Sequence, residues 1–269
     1  MFKKVLVPLD GSPLAEQALA IAATFSEEIV LLQVPVGQDA LTTAVTGGDL
    51  PMFVSALDDD SMAEAEQYLT NTAAKWRRAN LAVETKVEVG EAAHTIVDVA
   101  AAEEVELIVM STHGRSGVRR ILFGSVTEAV LKHAPCPVLA LRNERPLKRI
   151  LIPLDGSFLS EEALVPALNI AHTNEAEVTL FRVQPMEIGR QDEEFAFYLR
   201  AEHGLEYTAH DVLLMNIESY LKELCEPEIL AGLDMKTASR IGMPHEEILR
   251  YAAESETDLI VMSTHGRTG

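Results

Sequence analysis

Two short segments that combine glycine with hydroxyl side chains could together bind a phosphate group. Residues 111–114 read Ser-Thr-His-Gly, and after nine more residues the segment 124–127 reads Gly-Ser-Val-Thr. Glycine lets backbone N–H groups approach an anion, and a helix that starts at Gly124 would add N–H groups and a positive dipole end. Ser125 and Thr127 would add hydroxyl donors. Positive charge in the connecting segment comes from Arg115, Arg119 and Arg120. We therefore predict a phosphate-binding loop without the lysine of a P-loop.

Asp10 is the second candidate, because it follows a short apolar run at 5–9 that is typical of a buried strand. Pro8 lacks an N–H group, so it should mark the end of regular pairing. Ligands of open α/β sheets bind at the carboxyl ends of strands where the connections reverse direction. If the strands before Asp10 and Ser111 are neighbours, both segments face one crevice. Asp10 could then accept hydrogen bonds from a ribose hydroxyl or a base amine.

Each candidate also has a plainer structural interpretation. The glycines could form a tight turn with Ser125 as an ordinary helix cap, and Asp10 could form an Asx turn before a helix that starts at Pro13. His113 and His265 could shape a loop rather than take part in chemistry. Spacing leaves these alternatives open. No set of nucleophile, base and orienting group can be assembled, so we predict no dedicated catalysis and at most a weak, incidental ATPase activity.

An internal repeat places these segments on two copies of one module. Residues 4–12 return in nearly the same form as residues 149–157, and residues 107–117 return as residues 259–269. Because two segments recur in the same order about one domain apart, the chain is a duplication rather than a solenoid. We predict domain 1 over 1–143 and domain 2 over 147–269.

The second copy is shorter than the first at its carboxyl end. After Gly114 the first copy continues through a helix and a strand to Arg142, whereas only three residues follow Gly266. By the logic of the repeat, roughly 25 residues that would form the last helix and strand are missing from the second copy, through truncation or a disordered tail. We therefore expect domain 2 to lack its fifth strand.

Apolar runs alternate with helical spacing in each copy, which predicts an α/β fold with a parallel sheet, right-handed crossovers and helices on both faces. In the first copy we predict strands at 5–9, 29–34, 82–89, 105–110 and 138–141, and helices at 13–25, 61–78, 92–102 and 126–132. In the second copy we predict strands at 149–154, 177–183, 234–240 and 258–262, and helices at 160–171, 209–224 and 245–254. Residues 37–59 should form a long loop, and Ser61 with Glu64 should form a capping box.

The composition narrows the class of protein. The chain has 269 residues, of which 48% are hydrophobic, enough for the cores of two domains. A net charge of −20 repels nucleic acid and anionic membranes, so we expect neither as a partner and expect a cytoplasmic protein. Cys136 and Cys225 form neither a disulfide framework nor a zinc pattern. No apolar run approaches the ~20 residues of a membrane span, and the N-terminus enters a strand rather than a signal peptide.

The quoted segments carry a resemblance to a known family. The sequences V-P-L-D-G-S at 7–12, M-S-T-H-G-R-S-G at 110–117, G-S-V-T-E at 124–128 and C-P-V-L at 136–139 resemble those of the universal stress protein family. The similarity covers the first copy throughout and the second copy up to its end. It implies a Rossmann-like domain of the adenine-nucleotide α-hydrolase type, with a five-stranded sheet of order 3-2-1-4-5.

The ATP-binding branch of that family carries G-x-x-G, nine residues, and then glycine followed by serine or threonine. Gly114, Gly124 and Ser125 match this pattern, while Ser111 replaces the first glycine. The resemblance implies that Asp10 contacts the ribose or the adenine of ATP, with or without Mg²⁺, and that the backbone of Val34 contacts the adenine edge. The residues implied in binding are Pro8, Leu9, Asp10, Val34, Met110, Ser111, His113, Gly114, Arg115, Gly124, Ser125, Val126 and Thr127. The candidates in domain 2 are Asp155, Val183 and Gly266, with Ser263 again in place of glycine.

Three functions remain open. The first is a stress-response regulatory protein that binds ATP in domain 1 and changes the 37–59 loop or a partner surface. The second is an adaptor that acts through protein contacts without nucleotide, as the resemblance implies for some members of the family. The resemblance also implies that modules pair through their fifth strands, which would make an intramolecular pseudo-dimer here if the missing segment of the second copy exists, with a homodimer as a further assembly. The third is an enzyme such as an adenylating ligase, for which the sequence offers no second substrate pocket.

Overall fold

Strands and helices alternate along the chain, which the computed structural model describes over residues 1–35, 59–77, 80–112, 124–142, 145–185, 190–203, 208–225 and 232–263. The chain divides into unit 1, Met1–Glu144, and unit 2, Arg145–Gly269. The loop predicted at 37–59 lies outside the described residues except for its last position.

Unit 1 is an open parallel sheet of five strands. Its elements are β1 (Phe2–Pro8), α1 (Pro13–Phe25), β2 (Ser26–Gln33), α2 (Asp59–Trp76), β3 (Ala82–Val87), α3 (Ala92–Ala102), β4 (Leu107–Ser111), α4 (Ser125–His133) and β5 (Val138–Leu141). The strand order is β3-β2-β1-β4-β5, which confirms the predicted order 3-2-1-4-5. Helices cover both faces of the sheet.

The face of the sheet under α3 and α4 is closed by one apolar cluster. Leu6 of β1 and Ile108 of β4 are fully buried in it, together with Val130 of α4. Half-buried Val126 and Cys136 pack against its margin. Burial of these side chains fixes α4 against the sheet, and so fixes where α4 begins.

Unit 2 repeats this plan with four strands. Its elements are β6 (Arg149–Pro153), α5 (Phe158–Glu161), α6 (Leu164–Asn174), β7 (Glu177–Gln184), α7 (Arg190–His203), α8 (Ala209–Cys225), β8 (Asp234–Ile241), α9 (Pro244–Glu254) and β9 (Leu259–Ile260). The strand order is β8-β7-β6-β9, all parallel. Within the described part of unit 2 there is no fifth strand, as predicted.

Two predictions about helices were wrong, and one helix was not predicted. Helix α2 begins at Asp59, so Ser61 lies inside its first turn and cannot be the cap of a capping box. The single helix predicted at 160–171 is two helices, because Pro166 lacks an N–H group and is tolerated only in the first turn of α6. Helix α7 was not predicted.

Several strands end at positions other than those predicted. Strand β2 starts at Ser26, directly after α1, rather than at 29, and β3 stops at Val87 rather than at 89. Strand β4 starts at Leu107 rather than at 105. Strand β9 has only two residues instead of the five predicted at 258–262. Apolar character extends beyond the residues that pair in β3, β4 and β9, so the sequence pattern overestimates these three strands. It misses the start of β2, because the first three residues of that strand are polar.

Candidate functional site

The turn after β1 is built around the carboxylate of Asp10. Its Oδ1 accepts a hydrogen bond from the Ser12 N–H at 2.9 Å, and Gly11 between them has φ of +79°. Ser12 is the N-cap of α1, because its Oγ accepts from the Ala15 N–H at 3.2 Å. Asp10 therefore forms the Asx turn that was one of the alternatives. Whether its carboxylate also contacts a ligand stays a prediction.

Strand β1 ends where Pro8 was expected to end it. Pro8 is the last residue paired with β2, opposite Leu32, and Leu9 adds one more hydrogen bond from its N–H to the Leu32 carbonyl at 2.7 Å. Leu9 is buried. The backbone is thus held up to the residue before Asp10, which fixes the position of the turn at the sheet edge.

The start of α4 is tied to the end of β4 by two hydrogen bonds. The Gly124 N–H donates to the Thr112 carbonyl at 2.9 Å, and the Thr127 hydroxyl donates to the Ser111 carbonyl at 3.2 Å. Thr112 is itself held to the neighbouring strand, since its N–H donates to the Leu141 carbonyl at 2.8 Å. These bonds place Gly124 next to the carboxyl end of β4.

Gly124, and not Ser125, is the N-cap of α4, so the alternative in which Ser125 caps the helix is wrong. Because glycine has no side chain, no side-chain cap bonds the first N–H groups of α4. A Cβ at position 124 would lie 3.4 Å from the Thr112 carbonyl oxygen. The helix thus begins with its backbone close against β4, and its dipole puts a partial positive charge at this point.

Asp10 and Gly124 lie at the same edge of the sheet. Strands β1 and β4 are parallel neighbours, with Val5 opposite Leu107 and Leu6 opposite Ile108. The connection through α1 leaves β1 toward β2, whereas β4 continues through α4 toward β5, so the connections reverse between these two strands. Such a point forms a crevice at the carboxyl edge. The predicted adjacency of strands one and four is confirmed.

Other predicted site residues fall into two groups. Met110 is buried in the apolar cluster under α3 and α4, and Val34 packs half-buried against it after the end of β2. Any contact these two make at the edge of the sheet would therefore involve mainly their backbone. His113, Gly114, Arg115, Arg119, Arg120 and Gly266 lie outside the described residues.

A tyrosine–glutamate pair beside each Asp-Gly-Ser turn was missed by the sequence analysis. The Tyr68 hydroxyl donates to Glu16 Oε1 at 3.1 Å in unit 1, and the Tyr220 hydroxyl donates to Glu161 Oε1 at 2.8 Å in unit 2. Burial raises the pKa of both tyrosines, and the glutamates and Asp10 or Asp155 raise it further. The signal was present in the sequence, because both members recur at the spacing of the repeat.

The turn of unit 2 adds a cation to the same arrangement. Asp155 Oδ1 accepts from the Ser157 N–H at 2.9 Å and from the Ser157 hydroxyl at 2.6 Å. The Arg182 guanidinium lies 4.9 Å from the ring centroid of Tyr220, and its Nη1 lies 2.7 Å from the place a Cβ of Gly156 would take. A side chain at position 156 would therefore collide with this guanidinium. Val183, predicted to correspond to Val34, lies within β7.

Two further kinds of site were sought among the described residues. No group of three or more His, Cys, Asp or Glu side chains is arranged to hold a metal ion there. None of the helices described has the length and apolar character needed to cross a membrane.

Comparison with known proteins gives one family for both units. The model of the universal stress protein family matches residues 1–142 and 146–269. A universal stress protein of Methanocaldococcus jannaschii is 32% identical over 149 residues, covering 54% of this chain and 85% of that protein. Universal stress protein YxiE of Bacillus subtilis is 33% identical over 148 residues, covering 53% of this chain and all of that protein. The crystal structure of a universal stress protein from Archaeoglobus fulgidus matches 96% of this chain and 85% of its own, with a TM-score of 0.63 and 21% identity, which supports the fold.

Proposed function

Because the chain belongs to the universal stress protein family, we propose that it is a stress-response regulatory protein that binds ATP in the crevice between the ends of β1 and β4. The observation that carries the proposal is the Gly124 N–H bond to the Thr112 carbonyl at 2.9 Å. It brings the positive end of α4 to the carboxyl edge of the sheet, one strand away from Asp10.

Each part of the nucleotide would meet a different part of this edge. The phosphates would accept hydrogen bonds from the first N–H groups of α4 and from Ser125, with Mg²⁺ as a counter-ion. Asp10 would accept from the ribose or the adenine amine, and the backbone of Val34 would bond the adenine edge. The remaining predicted contacts are Pro8, Leu9, Met110, Ser111, His113, Gly114, Arg115, Val126 and Thr127. Local N–H groups are needed here because the chain as a whole, with a net charge of −20, repels an anion.

We further propose that the protein has no dedicated catalytic activity, and that ATP bound at this site changes a surface to which partner proteins bind. We place it in the cytoplasm, without nucleic acid partners, and we keep a homodimer as its proposed assembly. The proposed domains are 1–143 and 147–269. Asp155, Val183 and Gly266 are the candidates for a second, weaker site in domain 2.

Nucleotide bound to the purified chain is the direct test. The protein is denatured, and the released small molecules are separated by chromatography and identified by mass spectrometry. We expect adenine nucleotide at up to one molecule per chain, and we expect ATP added to nucleotide-free protein to bind in calorimetry. Absence of both would exclude the proposal.

Two substitutions at Gly124 distinguish the effect of a negative charge on ATP binding from the effect of a larger side chain. Gly124 has φ of −59° and ψ of 151°, which other residues can adopt, so Gly124→Ala adds only a methyl group 3.4 Å from the Thr112 oxygen. Gly124→Asp adds a negative charge where the phosphates are proposed to lie. We expect Gly124→Asp to abolish ATP binding, and Gly124→Ala to weaken it by about tenfold or less. Unchanged affinity of Gly124→Asp would refute the assignment of the site.

The second candidate function is a nucleotide-independent adaptor. It is favoured because two of the side chains predicted to bind nucleotide already make hydrogen bonds within the protein. The Asp10 carboxylate accepts from the Ser12 N–H, and the Thr127 hydroxyl donates to the Ser111 carbonyl. An adaptor would give the same partner set with and without adenine nucleotide in pull-downs, whereas an ATP-responsive regulator would exchange at least one partner.

A further inference from the structure

Gln33 of unit 1 and Arg182 of unit 2 occupy the same place in the two copies of the module. In each unit, an N–H group just before the Asp-Gly-Ser turn donates at 2.7 Å to the carbonyl of the residue preceding this place, Leu32 in β2 and Phe181 in β7. The side chains of Gln33 and Arg182 therefore start from equivalent positions beside the two turns. One of them is neutral, and the other carries a positive charge.

The Gln33 side chain has an acceptor that no described group uses. Leu32 lies in the apolar cluster under α3 and α4, and side chains alternate along a strand, so Gln33 points to the opposite face, where α1 and α2 pack on β2. Its Oε1 is buried and has no hydrogen-bond partner among the described residues. Because buried polar atoms are nearly always paired, this oxygen is suited to accept a hydrogen bond from a ligand at the edge of the sheet.

In unit 2 a cation of the chain itself fills the corresponding place. The Arg182 guanidinium lies over the Tyr220 ring, 4.9 Å from its centroid, and its Nη1 is 2.7 Å from the place a Cβ of Gly156 would take. A position above an aromatic ring is favourable for a guanidinium. The side chain is thus held against the Asp-Gly-Ser turn of unit 2, and it takes up space there that a ligand would otherwise occupy.

We propose that Gln33 recognises the base of the nucleotide in unit 1 by accepting a hydrogen bond from the exocyclic amine of adenine, and that Arg182 fills the same space in unit 2. The inference rests on the proposed function, and it adds a side chain to the backbone contact of Val34, the next residue along the chain. Such an acceptor selects adenine over hypoxanthine, which carries a carbonyl oxygen in place of the amine. A site built to bond a polar group rejects an analogue that lacks it, because the buried polar atom is then left unpaired.

The test compares ATP with inosine triphosphate on the nucleotide-free full chain and on Gln33→Met, which keeps a side chain of similar length and removes the amide. We expect calorimetry to show that the unaltered chain binds ATP at least about tenfold more tightly than inosine triphosphate, and that Gln33→Met reduces this preference to about twofold or less. Thermal unfolding of Gln33→Met should occur at no lower temperature, because an unpaired buried amide is replaced by an apolar group. An unchanged preference in Gln33→Met would overturn this inference alone, whereas no ATP binding by the unaltered chain would overturn the proposed function with it.

Exchanging the two residues tests whether an arginine at this place excludes the base. Gln33→Arg gives unit 1 the residue of unit 2, and Arg182→Gln makes the reverse change as the matched control. An added positive charge alone would strengthen the binding of a triphosphate, whereas a guanidinium that fills the place of the base would weaken it. We expect Gln33→Arg to weaken ATP binding by at least about tenfold and Arg182→Gln to leave the affinity for the first ATP within about twofold. Unchanged or tighter binding by Gln33→Arg, or equal effects of the two variants, would contradict the inference.

Discussion

Replacing Thr127 by valine removes one hydroxyl group from the start of α4 and keeps the shape of the side chain. That hydroxyl donates to the Ser111 carbonyl at 3.2 Å, and Thr127 is only 3% exposed, so water cannot easily replace it. Loss of one intramolecular hydrogen bond costs about 0.5–1.5 kcal/mol. We expect Thr127→Val to lower the free energy of unfolding of unit 1 by about 1 kcal/mol.

The chain contains a single tryptophan, which makes this measurement specific to unit 1. Trp76 is the last residue of α2, so its fluorescence during urea unfolding follows unit 1 alone. Thr24→Val is the matched control, since the Thr24 hydroxyl makes the same kind of bond to the Ile21 carbonyl at 2.8 Å on an exposed surface. Water can replace that bond, so we expect a change within about 0.5 kcal/mol.

The same variant decides between two roles for Thr127. If its hydroxyl fixes α4 to β4, folded Thr127→Val binds ATP with nearly unchanged affinity and is less stable. If the hydroxyl instead binds phosphate, the affinity falls by about tenfold and the stability matches that of the Thr24→Val control. The second pattern would refute the reasoning from the Ser111 bond.

Half-buried thiol and phenol groups, and two of the three glutamates with left-handed backbone, lead to three further predictions. Burial raises the pKa of Cys136 to about 11, so iodoacetamide at pH ~8 should label it far more slowly in the folded chain than after denaturation, as measured by peptide mass spectrometry. The pKa of Tyr68 and of Tyr220 is higher in the folded chain than the usual value of about 10. The contribution of these two phenols to the free energy of unfolding is therefore complete below about pH 10 and is lost as the pH rises further. Urea unfolding measured at a series of pH values through that range would show the loss. Glu104 and Glu256 have φ of 50° and 49° at helix ends, and replacing either by glycine should raise the free energy of unfolding by about 0.5–1 kcal/mol in thermal unfolding, while replacement by alanine should not.

The parts of the fold that could be predicted are those in which local signals agree with one another. Helix α1 was predicted with its observed bounds, Pro13–Phe25, because Pro13 suits the first turn and apolar residues recur at helical spacing. The structure adds the Ser12 side chain as its N-cap. The single helix predicted at 160–171 was wrong because two local signals disagree there. The apolar spacing is helical throughout, whereas Pro166 lacks the N–H group that a helix interior needs.

Residues of the candidate site that lie in short sequence motifs could be predicted, whereas contacts between residues far apart in the sequence could not. Gly124 and Asp10 could be predicted because glycine and carboxylate side chains after strand ends are typical of ligand-binding loops. In the structure Gly124 lies beside the end of β4, and Asp10 follows the neighbouring strand β1. The bond between Tyr68 and Glu16 joins residues 52 apart, on two helices whose relative position depends on how both pack on the sheet. Propensity and periodicity carry no information on such a pair, and only its recurrence in the second copy could have indicated it.

Because the module occurs twice in one chain, the two copies can be compared to separate interactions that stabilise the fold from those that could bind a ligand. The Asp-Gly-Ser turn recurs with the same backbone bond, from Ser12 to Asp10 and from Ser157 to Asp155, at 2.9 Å in both units. Only in unit 1 do the described residues place the start of a helix opposite that turn, so the shared bond must serve the turn whether or not a ligand is bound. Asp10→Asn and Asp155→Asn should therefore cost similar stability, and an additional loss of ATP binding in Asp10→Asn alone would measure the part of Asp10 that acts on the nucleotide. Equal ATP binding by the two variants would assign Asp10 to the turn and leave recognition to Gly124 and the start of α4.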